Sequence, residues 1–320
     1  VTVANGYLFI VGGYDGTNNY STVYSTPLQS TAFAYNTTNN FTNGNLLDVW
    51  NDEQSKLAVD YAGNVTTQGS LTTNSIASST NSITPGSTGT YQTLGNLPAL
   101  TSGAGVTSYG GYVYMSGGFT AAALSTVYSS KVNADGTLGS WNTLTALPAV
   151  RTSHSMTSYG GYLFVTGGCT AACTALNTVS TVYSAAIKTD GTIGSWNTLS
   201  TILALRSQAG SVAANGYLYV LGGDAGDTAS VSTVYYAQIN GNGTLGTWAT
   251  TTALSQILLG VSAATDGKYI FVTGGYNSTV TATAVSTVYS VPIKADGTLG
   301  SWATLNTLPT TSTAGIGVIA

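Results

Sequence analysis

The feature that most constrains the fold of this 320-residue chain is a block of sequence that recurs five times. In each copy an apolar run ends in Gly-Gly, Ser-Thr-Val-Tyr follows, and an aromatic residue comes later. The Gly-Gly pairs stand at 12/13, 117/118, 167/168, 222/223 and 274/275, Ser-Thr-Val-Tyr begins at 21, 125, 180, 232 and 286, and the aromatic residues are Tyr91, Trp141, Trp196, Trp248 and Trp302. A period of roughly 50 residues built from short strands indicates a toroidal repeat.

Each repeat predicts one four-stranded antiparallel blade, as repeat four illustrates. Asn215-Gly216 suits a two-residue hairpin turn, and the run after it is rich in aromatic and β-branched residues. The four strands predicted there are 211–214, 217–221, 231–239 and 247–250. No segment has a helical period, so the predicted fold is an all-β propeller of five blades.

The pattern resembles the kelch-repeat, galactose-oxidase-like propeller family, in which Gly-Gly ends the second strand of each blade and a Tyr and a Trp follow. The resemblance covers about four fifths of the chain by the repeat spacing. It implies a fold that presents loops, and more often a binding scaffold than an enzyme. Kelch rings commonly have more blades than the five copies seen here.

Blade one is interrupted by residues 30–89, where the other blades have a short Asp-Gly turn. We therefore expect a propeller formed by 1–29 and 90–320, with 30–89 as an inserted β-arm and linker. Part of the arm resembles shaft modules of phage tail fibres and bacterial surface proteins, through Val59-Asp60 and Gly63-Asn64-Val65-Thr66. The alternative is a six-bladed ring in which this segment is a degenerate blade.

The arm carries apolar residues that a pair of isolated strands cannot bury alone. We expect them to contact another subunit: Leu46, Leu47, Val49, Trp50, Leu57, Val59 and Tyr61. At the ring closure two segments compete for one inner strand, 1–4 and 314–320. The sequence favours the C-terminal one in the same chain, with pairing to a neighbouring subunit as the alternative.

The composition limits which partners and which cellular locations fit the protein. Only 6% of residues are charged and the net charge is −4, which argues against nucleic acid as a partner. No apolar run approaches the roughly 20 residues of a membrane span. Because the chain begins at Val1 without Met or a signal peptide, we expect a processed product or a segment of a longer chain.

The two cysteines, Cys169 and Cys173, lie in the loop after the third Gly-Gly. They lack the further ligands of a zinc site, since the chain has one His and no other Cys. The pair predicts a disulfide in an oxidising, extracellular or cell-surface compartment, with two buried thiols as the alternative.

The inventory of catalytic residues argues against an enzyme. A copper-radical oxidase of this fold needs two His and a Cys at the metal, and the chain has only His154. A sialidase-like site needs three Arg, and only Arg151 and Arg206 are present. We expect no cofactor and no metal.

Variable loops mark the predicted binding face. The loops after Gly-Gly differ between repeats, whereas the Asp-Gly-Thr turns at the opposite end are nearly identical. The candidate ligand-binding residues are Tyr14, Asp15, Arg151, His154, Arg206, Asp224, Asp227, Tyr276 and Asn277. The alternative is structural, because kelch repeats often keep an Arg at the places of Arg151 and Arg206.

Two functions fit this sequence. The first is an extracellular structural or adhesive subunit that self-assembles through the arm into a homo-oligomer or a filament. The second is a monomeric lectin that binds a glycan on the variable-loop face.

Overall fold

The computed structural model describes residues 2–4, 7–14, 19–27, 45–51, 54–60, 65–67, 92–99, 101–174, 176–226, 230–277 and 283–308. These residues form strands, turns and connecting segments, with no helix among them. In chain order the strands are β1 (Thr2–Ala4), β2 (Tyr7–Tyr14), β3 (Asn19–Pro27), β4 (Asn45–Asn51), β5 (Gln54–Asp60), β6 (Val65–Thr67), β7 (Gln92–Asn96), β8 (Gly105–Tyr109), β9 (Tyr112–Ser116), β10 (Val127–Lys131), β11 (Asn142–Leu144), β12 (Ser155–Tyr159), β13 (Tyr162–Thr166), β14 (Val182–Ala186), β15 (Asn197–Thr198), β16 (Gly210–Ala214), β17 (Tyr217–Leu221), β18 (Val234–Gln238), β19 (Ala249–Thr251), β20 (Ser262–Thr265), β21 (Tyr269–Thr273), β22 (Tyr276–Asn277), β23 (Thr283–Ala284), β24 (Val288–Pro292) and β25 (Ala303–Thr304).

The strands pair into four-stranded antiparallel sheets. Blades two to five, named for the repeats that form them, have the orders β8-β9-β10-β11, β12-β13-β14-β15, β16-β17-β18-β19 and β20-β21-β24-β25. Repeat one gives a sheet of the order β1-β2-β3-β7, and β22 pairs with β23 as a separate ribbon. Neighbouring inner strands adjoin in sequence, from β1 to β8, β12, β16 and β20. The prediction of an all-β propeller is confirmed.

The chain divides into two compact units, one formed by 1–28 with 88–320 and the other by 29–87. The propeller sheets belong to the first unit. The second unit contains a three-stranded antiparallel sheet in the order β4-β5-β6.

The Gly-Gly pair ends the second strand of a blade because the next connection passes directly against it. In blade three the Gly168 N–H donates to the Arg206 carbonyl at 2.7 Å. A side chain on Gly167 would overlap that same carbonyl, and both glycines have positive φ, 62° and 91°. Only glycine tolerates both conditions.

The hydrophobic core lies in layers between successive blades. Tyr114 and Val127 of blade two pack with Leu163 and Tyr183 of blade three. A second layer joins blades three and four, and a third joins blades four and five. The outer strands of blades two to five are only two or three residues long. Edges this short offer little backbone to another chain.

Three of the repeated tryptophans connect their blade to the one before it. The indole N–H of Trp196 donates to the Thr145 carbonyl at 2.9 Å, and Trp248 and Trp302 donate to Ser200 and Thr252 at 3.2 Å. Trp248 is buried at 4% exposure, whereas Trp141, Trp196 and Trp302 are half-buried. Their equivalent places in the repeats predict that all four are buried, and this prediction is correct for Trp248 alone.

The Asp-Gly-Thr turns have a uniform geometry that accounts for their uniform sequence. In blade three the Asp190 carboxylate accepts from the Thr192 N–H at 2.9 Å and from its hydroxyl at 2.6 Å. These hydrogen bonds lower the pKa of Asp190. In blades three to five the turn glycine lies under an aromatic ring of the preceding blade: a side chain on Gly191, Gly243 or Gly297 would overlap the ring of Tyr112, Tyr162 or Tyr217.

The prediction that the C-terminal segment forms the inner strand of the repeat-one sheet is wrong. β1 pairs with β2, with Val3 opposite Leu8. The place expected for 314–320 in the same chain is thus occupied by the N-terminal strand, which reaches it through a two-residue connection at very small loop-closure cost. Residues 309–320 lie outside the described residues.

Candidate functional site

Arg151 follows the short outer strand β11 and turns inward between blades two and three. Its guanidinium carbon lies 5.1 Å from the centroid of the Tyr183 ring, and Nη2 donates to the Tyr183 hydroxyl at 2.9 Å. Nη1 donates to the Val150 carbonyl at 2.8 Å. Burial lowers the pKa of Arg151, partly offset by Tyr183.

Arg206 repeats this arrangement one blade further on. Its guanidinium carbon lies 4.8 Å from the centroid of the Tyr235 ring, and Nη1 donates to the Leu205 carbonyl at 2.7 Å. Tyr183 and Tyr235 are the last residues of two Ser-Thr-Val-Tyr motifs. The motif tyrosine therefore serves as the surface on which the arginine packs, a cation–π contact that contributes about 0.5–2 kcal/mol.

His154 lies in the interior beside the inner strands of blades two and three. Its Nε2 is 2.8 Å from the Ser116 hydroxyl oxygen, and that hydroxyl also lies 3.2 Å from the sulfur of Met156. Nδ1 is buried and has no hydrogen-bond partner among the described residues. Burial, with the nearby charge of Arg151, lowers the pKa of His154 to about 3. The imidazole is therefore neutral near pH 7.

The positions of these three residues contradict part of the predicted ligand-binding face. Arg151, His154 and Arg206 were expected on a solvent-facing rim, and all three are buried. The physical reason is that the connections between blades pass inward over the Gly-Gly pairs, so that side chains from them enter the layers between blades. Arg151 and Arg206 have the structural role that was the alternative interpretation of their positions.

The remaining candidate ligand residues are scattered among loops and strand ends. Asp224 is half-buried, and its carboxylate accepts from the Gly226 N–H at 2.6 Å, as a turn residue does. Tyr14 ends β2, and Tyr276 and Asn277 form β22. Asp15 and Asp227 lie outside the described residues.

The predicted disulfide between Cys169 and Cys173 is present in the loop that follows β13. Further hydrogen bonds fix this loop: the Asn177 side-chain amide donates to the Ala172 carbonyl at 3.1 Å and to the Thr174 hydroxyl at 3.0 Å. Leu176, at the tip, is 96% exposed. Sequence reasoning missed this residue, and the only signal for it was a single large apolar residue in an otherwise small and polar loop.

The predicted subunit-contact residues lie mostly on β4 and β5 of the arm. Leu47 pairs with Val59 and Val49 with Leu57, and Val59 also pairs with Val65 of β6. Trp50 is opposite Ser55 next to a register shift, and Leu46 falls within another shift. Tyr61 lies outside the described residues.

The described residues contain no cluster of three or more His, Cys, Asp or Glu side chains that is suited to a metal ion. Nor does any described segment form a helix with the length and hydropathy of a membrane span. What the described side chains do provide is packing between blades and an exposed loop that carries a disulfide.

Comparison with known proteins supports the fold. The kelch motif matches residues 205–236. The chain is similar to the solved structure described as "Structure of YjhT", with a TM-score of 0.58 and 12% identity over 94% of this chain and 84% of that one. No curated protein matches. The kelch-repeat propeller resemblance is thus confirmed, whereas the resemblance of the arm to fibre shaft modules stays a prediction.

Proposed function

We propose that this kelch-repeat propeller is a non-enzymatic structural subunit of an extracellular assembly, and that it self-associates through the sheet β4-β5-β6. The observation that carries the proposal is the register of that sheet. Residues directly opposite each other in an antiparallel pair project to the same face. By this register one face of the sheet carries six residues, of which all but the last are apolar: Leu47, Val49, Leu57, Val59, Val65 and Thr67.

The other face of the arm sheet is more polar. Asp48 pairs with Ala58, which in turn pairs with Thr66. A three-stranded sheet with one apolar face gains stability when that face is covered by another layer. A second copy of the chain is the partner that is always present with such a subunit. A head-to-tail contact between copies produces a filament when the copies do not close into a ring.

The state of the titratable groups supports a non-enzymatic role. General acid–base catalysis needs a group with a pKa near the working pH, within reach of a substrate. His154 is buried with a pKa of about 3. Both described arginines that could bind an anion are instead packed on tyrosine rings.

Two features support an extracellular setting. The Cys169–Cys173 disulfide persists in oxidising compartments and is rare in the cytosol. The surface is also made largely of neutral hydroxyl and amide groups, since only 6% of residues are charged.

We further infer a ring of five blades, with the arm as an insertion and not as a sixth blade. The repeat-one sheet has the same four-strand antiparallel order as blades two to five, and its inner strand β1 adjoins β8. The arm sheet has three strands and belongs to a separate compact unit.

The lectin alternative has less support. Three of its nine candidate residues are buried in packing roles, and Asp224 is engaged in its own turn. A glycan array tests this alternative directly, and the structural proposal expects no sugar to bind.

A matched pair of arm variants tests the structural proposal. Val59→Asp places a charge on the apolar face, and Ala58→Asp places the same charge on the neighbouring residue of the opposite face. Light scattering should show that Val59→Asp is monomeric and that Ala58→Asp assembles like the wild-type chain. Equal assembly of all three proteins would show that the arm face is not the contact.

A further inference from the structure

We propose that Asn242, in the turn between β18 and β19 of blade four, is an acceptor site for an N-linked sugar. Blades two, three and five have the equivalent turn with an aspartate at this position, Asp135, Asp190 and Asp296. In blade four the sequence is Asn242-Gly243-Thr244, which has the Asn-X-Thr pattern that N-glycosylation requires. The inference goes beyond the proposed function and shares with it only the extracellular setting.

The sequence pattern alone does not distinguish this site from others in the chain. Short patterns of this kind arise by chance in a sequence rich in Thr. The Asn-X-Ser/Thr sequences begin at Asn19, Asn36, Asn40, Asn64, Asn242 and Asn277. Asn242 is the one whose acceptor and hydroxyl side chains both belong to the described part of the chain. Its selection comes from the geometry of the turn.

The side chains of Asn240, Thr244 and Asn242 are linked by hydrogen bonds across the turn. Asn240 Nδ2 donates to the Thr244 hydroxyl at 2.9 Å, and that hydroxyl donates to Asn242 Oδ1 at 2.7 Å. The Thr244 N–H donates to the same oxygen at 3.1 Å. A backbone bridge from Ile239 to Leu245 closes the turn. The hydroxyl that the sequence pattern requires is therefore already held against the amide of the acceptor.

The amide nitrogen of Asn242 takes no part in holding the turn. The residue is exposed, and no described residue accepts a hydrogen bond from its Nδ2. The turns of Asp135, Asp190 and Asp296 have the same pair of bonds to one oxygen, from a Thr N–H at 2.9–3.0 Å and its hydroxyl at 2.6–2.7 Å. The fold uses only that oxygen, so a substituent on Nδ2 would displace neither bond.

The reaction would join Nδ2 of Asn242 to the anomeric carbon of a sugar activated as a diphosphate ester. The new N–C bond forms as the bond from that carbon to the diphosphate oxygen breaks, and the diphosphate leaves with the electron pair. One Nδ2 proton passes to a base of the transferase, and amide conjugation then shifts negative charge to Oδ1. Thr244 places two donors at 2.7 and 3.1 Å from this oxygen, which stabilises that charge. An aspartate has no nitrogen for this reaction.

The folded, full-length chain can be tested with a soluble N-glycosyltransferase that recognises Asn-X-Ser/Thr, with UDP-glucose as the donor. Trypsin releases Asn242 in the peptide 207–268, which contains no other Asn-X-Ser/Thr sequence. We expect this peptide to gain the mass of one hexose. If it stays unmodified in the folded chain while a synthetic Asn-Gly-Thr peptide is modified, the proposal is wrong.

Matched variants test the role of each side chain in the turn. Asn242→Asp should lose the added mass and keep the thermal midpoint, because three turns of the wild-type chain have Asp at this position. Thr244→Ser keeps the hydroxyl and should retain the modification, whereas Thr244→Val should lose it. Equal modification of the Ser and Val variants would contradict the role given to the hydroxyl.

Asp190→Asn transfers the acceptor to blade three, where the turn has the same hydrogen bonds. Its tryptic peptide, 189–206, should gain one hexose, and the wild-type peptide should not. A variant that folds like the wild-type chain but gains no hexose would overturn the turn geometry as the basis of the site. Light scattering gives an independent readout of assembly: a chain that is modified at Asn242 and stays monomeric at every concentration overturns the proposed function and supports this site.

Discussion

The guanidinium group of Arg151 lies over the ring of Tyr183 and donates a hydrogen bond to its hydroxyl at 2.9 Å. Tyr183 ends a Ser-Thr-Val-Tyr motif of blade three, and Arg151 comes from the connection that leaves blade two. One side chain thus joins two blades through the last residue of the motif, and Arg206 does the same with Tyr235. In blade five the corresponding tyrosine, Tyr289, shares its core cluster with Leu258.

Replacing Arg151 tests this structural role. Arg151→Ala removes the cation–π contact and leaves the Tyr183 hydroxyl buried without its donor, so the free energy of unfolding should fall by about 2–4 kcal/mol. Arg151→Leu should cost less, because Leu258 occupies the equivalent place beside Tyr289. Urea denaturation measures both, and an unchanged stability of Arg151→Ala would contradict the packing role of this residue.

Trp248 tests the contact between blades three and four. Because its side chain is buried, Trp248→Ala should lower the free energy of unfolding by about 3–5 kcal/mol. Trp248→Phe keeps most of the packing and loses only the hydrogen bond to Ser200, at a cost nearer to about 1 kcal/mol. Equal costs for the two variants would mean that packing is not the main contribution.

Gly243 tests the contact between an Asp-Gly-Thr-type turn and the aromatic ring above it. An alanine here has both an unfavourable φ of 75° and an overlap with the Tyr162 ring. Gly243→Ala should therefore destabilise more than Gly216→Ala, which has a φ of 82° but open space around it. Gly241→Ala, with neither problem, should be close to neutral. The ranking by thermal midpoint checks the argument, and equal midpoints for Gly243→Ala and Gly216→Ala would exclude the ring contact.

These repeated contacts show which parts of the fold the sequence predicts. Strands, hairpin turns and the Gly-Gly ends follow from periodicity and turn chemistry, which are local properties. Repeat four accordingly matches its predicted strands to within a few residues. The choice between β1 and the C-terminal segment was not local, since both segments have the pattern of an inner strand.

The candidate site was less predictable for a physical reason. An arginine after an outer strand has the same sequence signature whether it faces solvent or a tyrosine of the next blade. The distinction between Arg151 as a ligand residue and as a packing residue depends on the path of the connection across Gly117 and Gly118. Leu176 was missed because the sequence does not show that hydrogen bonds and a disulfide hold it outward.

His154 predicts a dependence of stability on pH. Its pKa in the folded protein, about 3, is below the unfolded value near 6.5, so the unfolded chain takes up a proton first. The neutral imidazole makes its full contribution to the free energy of unfolding above pH 6.5. That contribution falls as the pH decreases towards 3, and the total loss is at most about 5 kcal/mol. His154→Val, which introduces the residue found at the equivalent position 261, should flatten the curve of stability against pH over this range. A curve that is unchanged by the substitution would remove His154 as the cause.

The mass of the wild-type chain in solution tests the central claim most directly. One chain has a mass of 32.4 kDa. A head-to-tail contact that does not close predicts that the weight-average mass by light scattering rises continuously with concentration and does not stop at twice this value. A mass that remains 32.4 kDa at every concentration tested would contradict self-assembly through the arm.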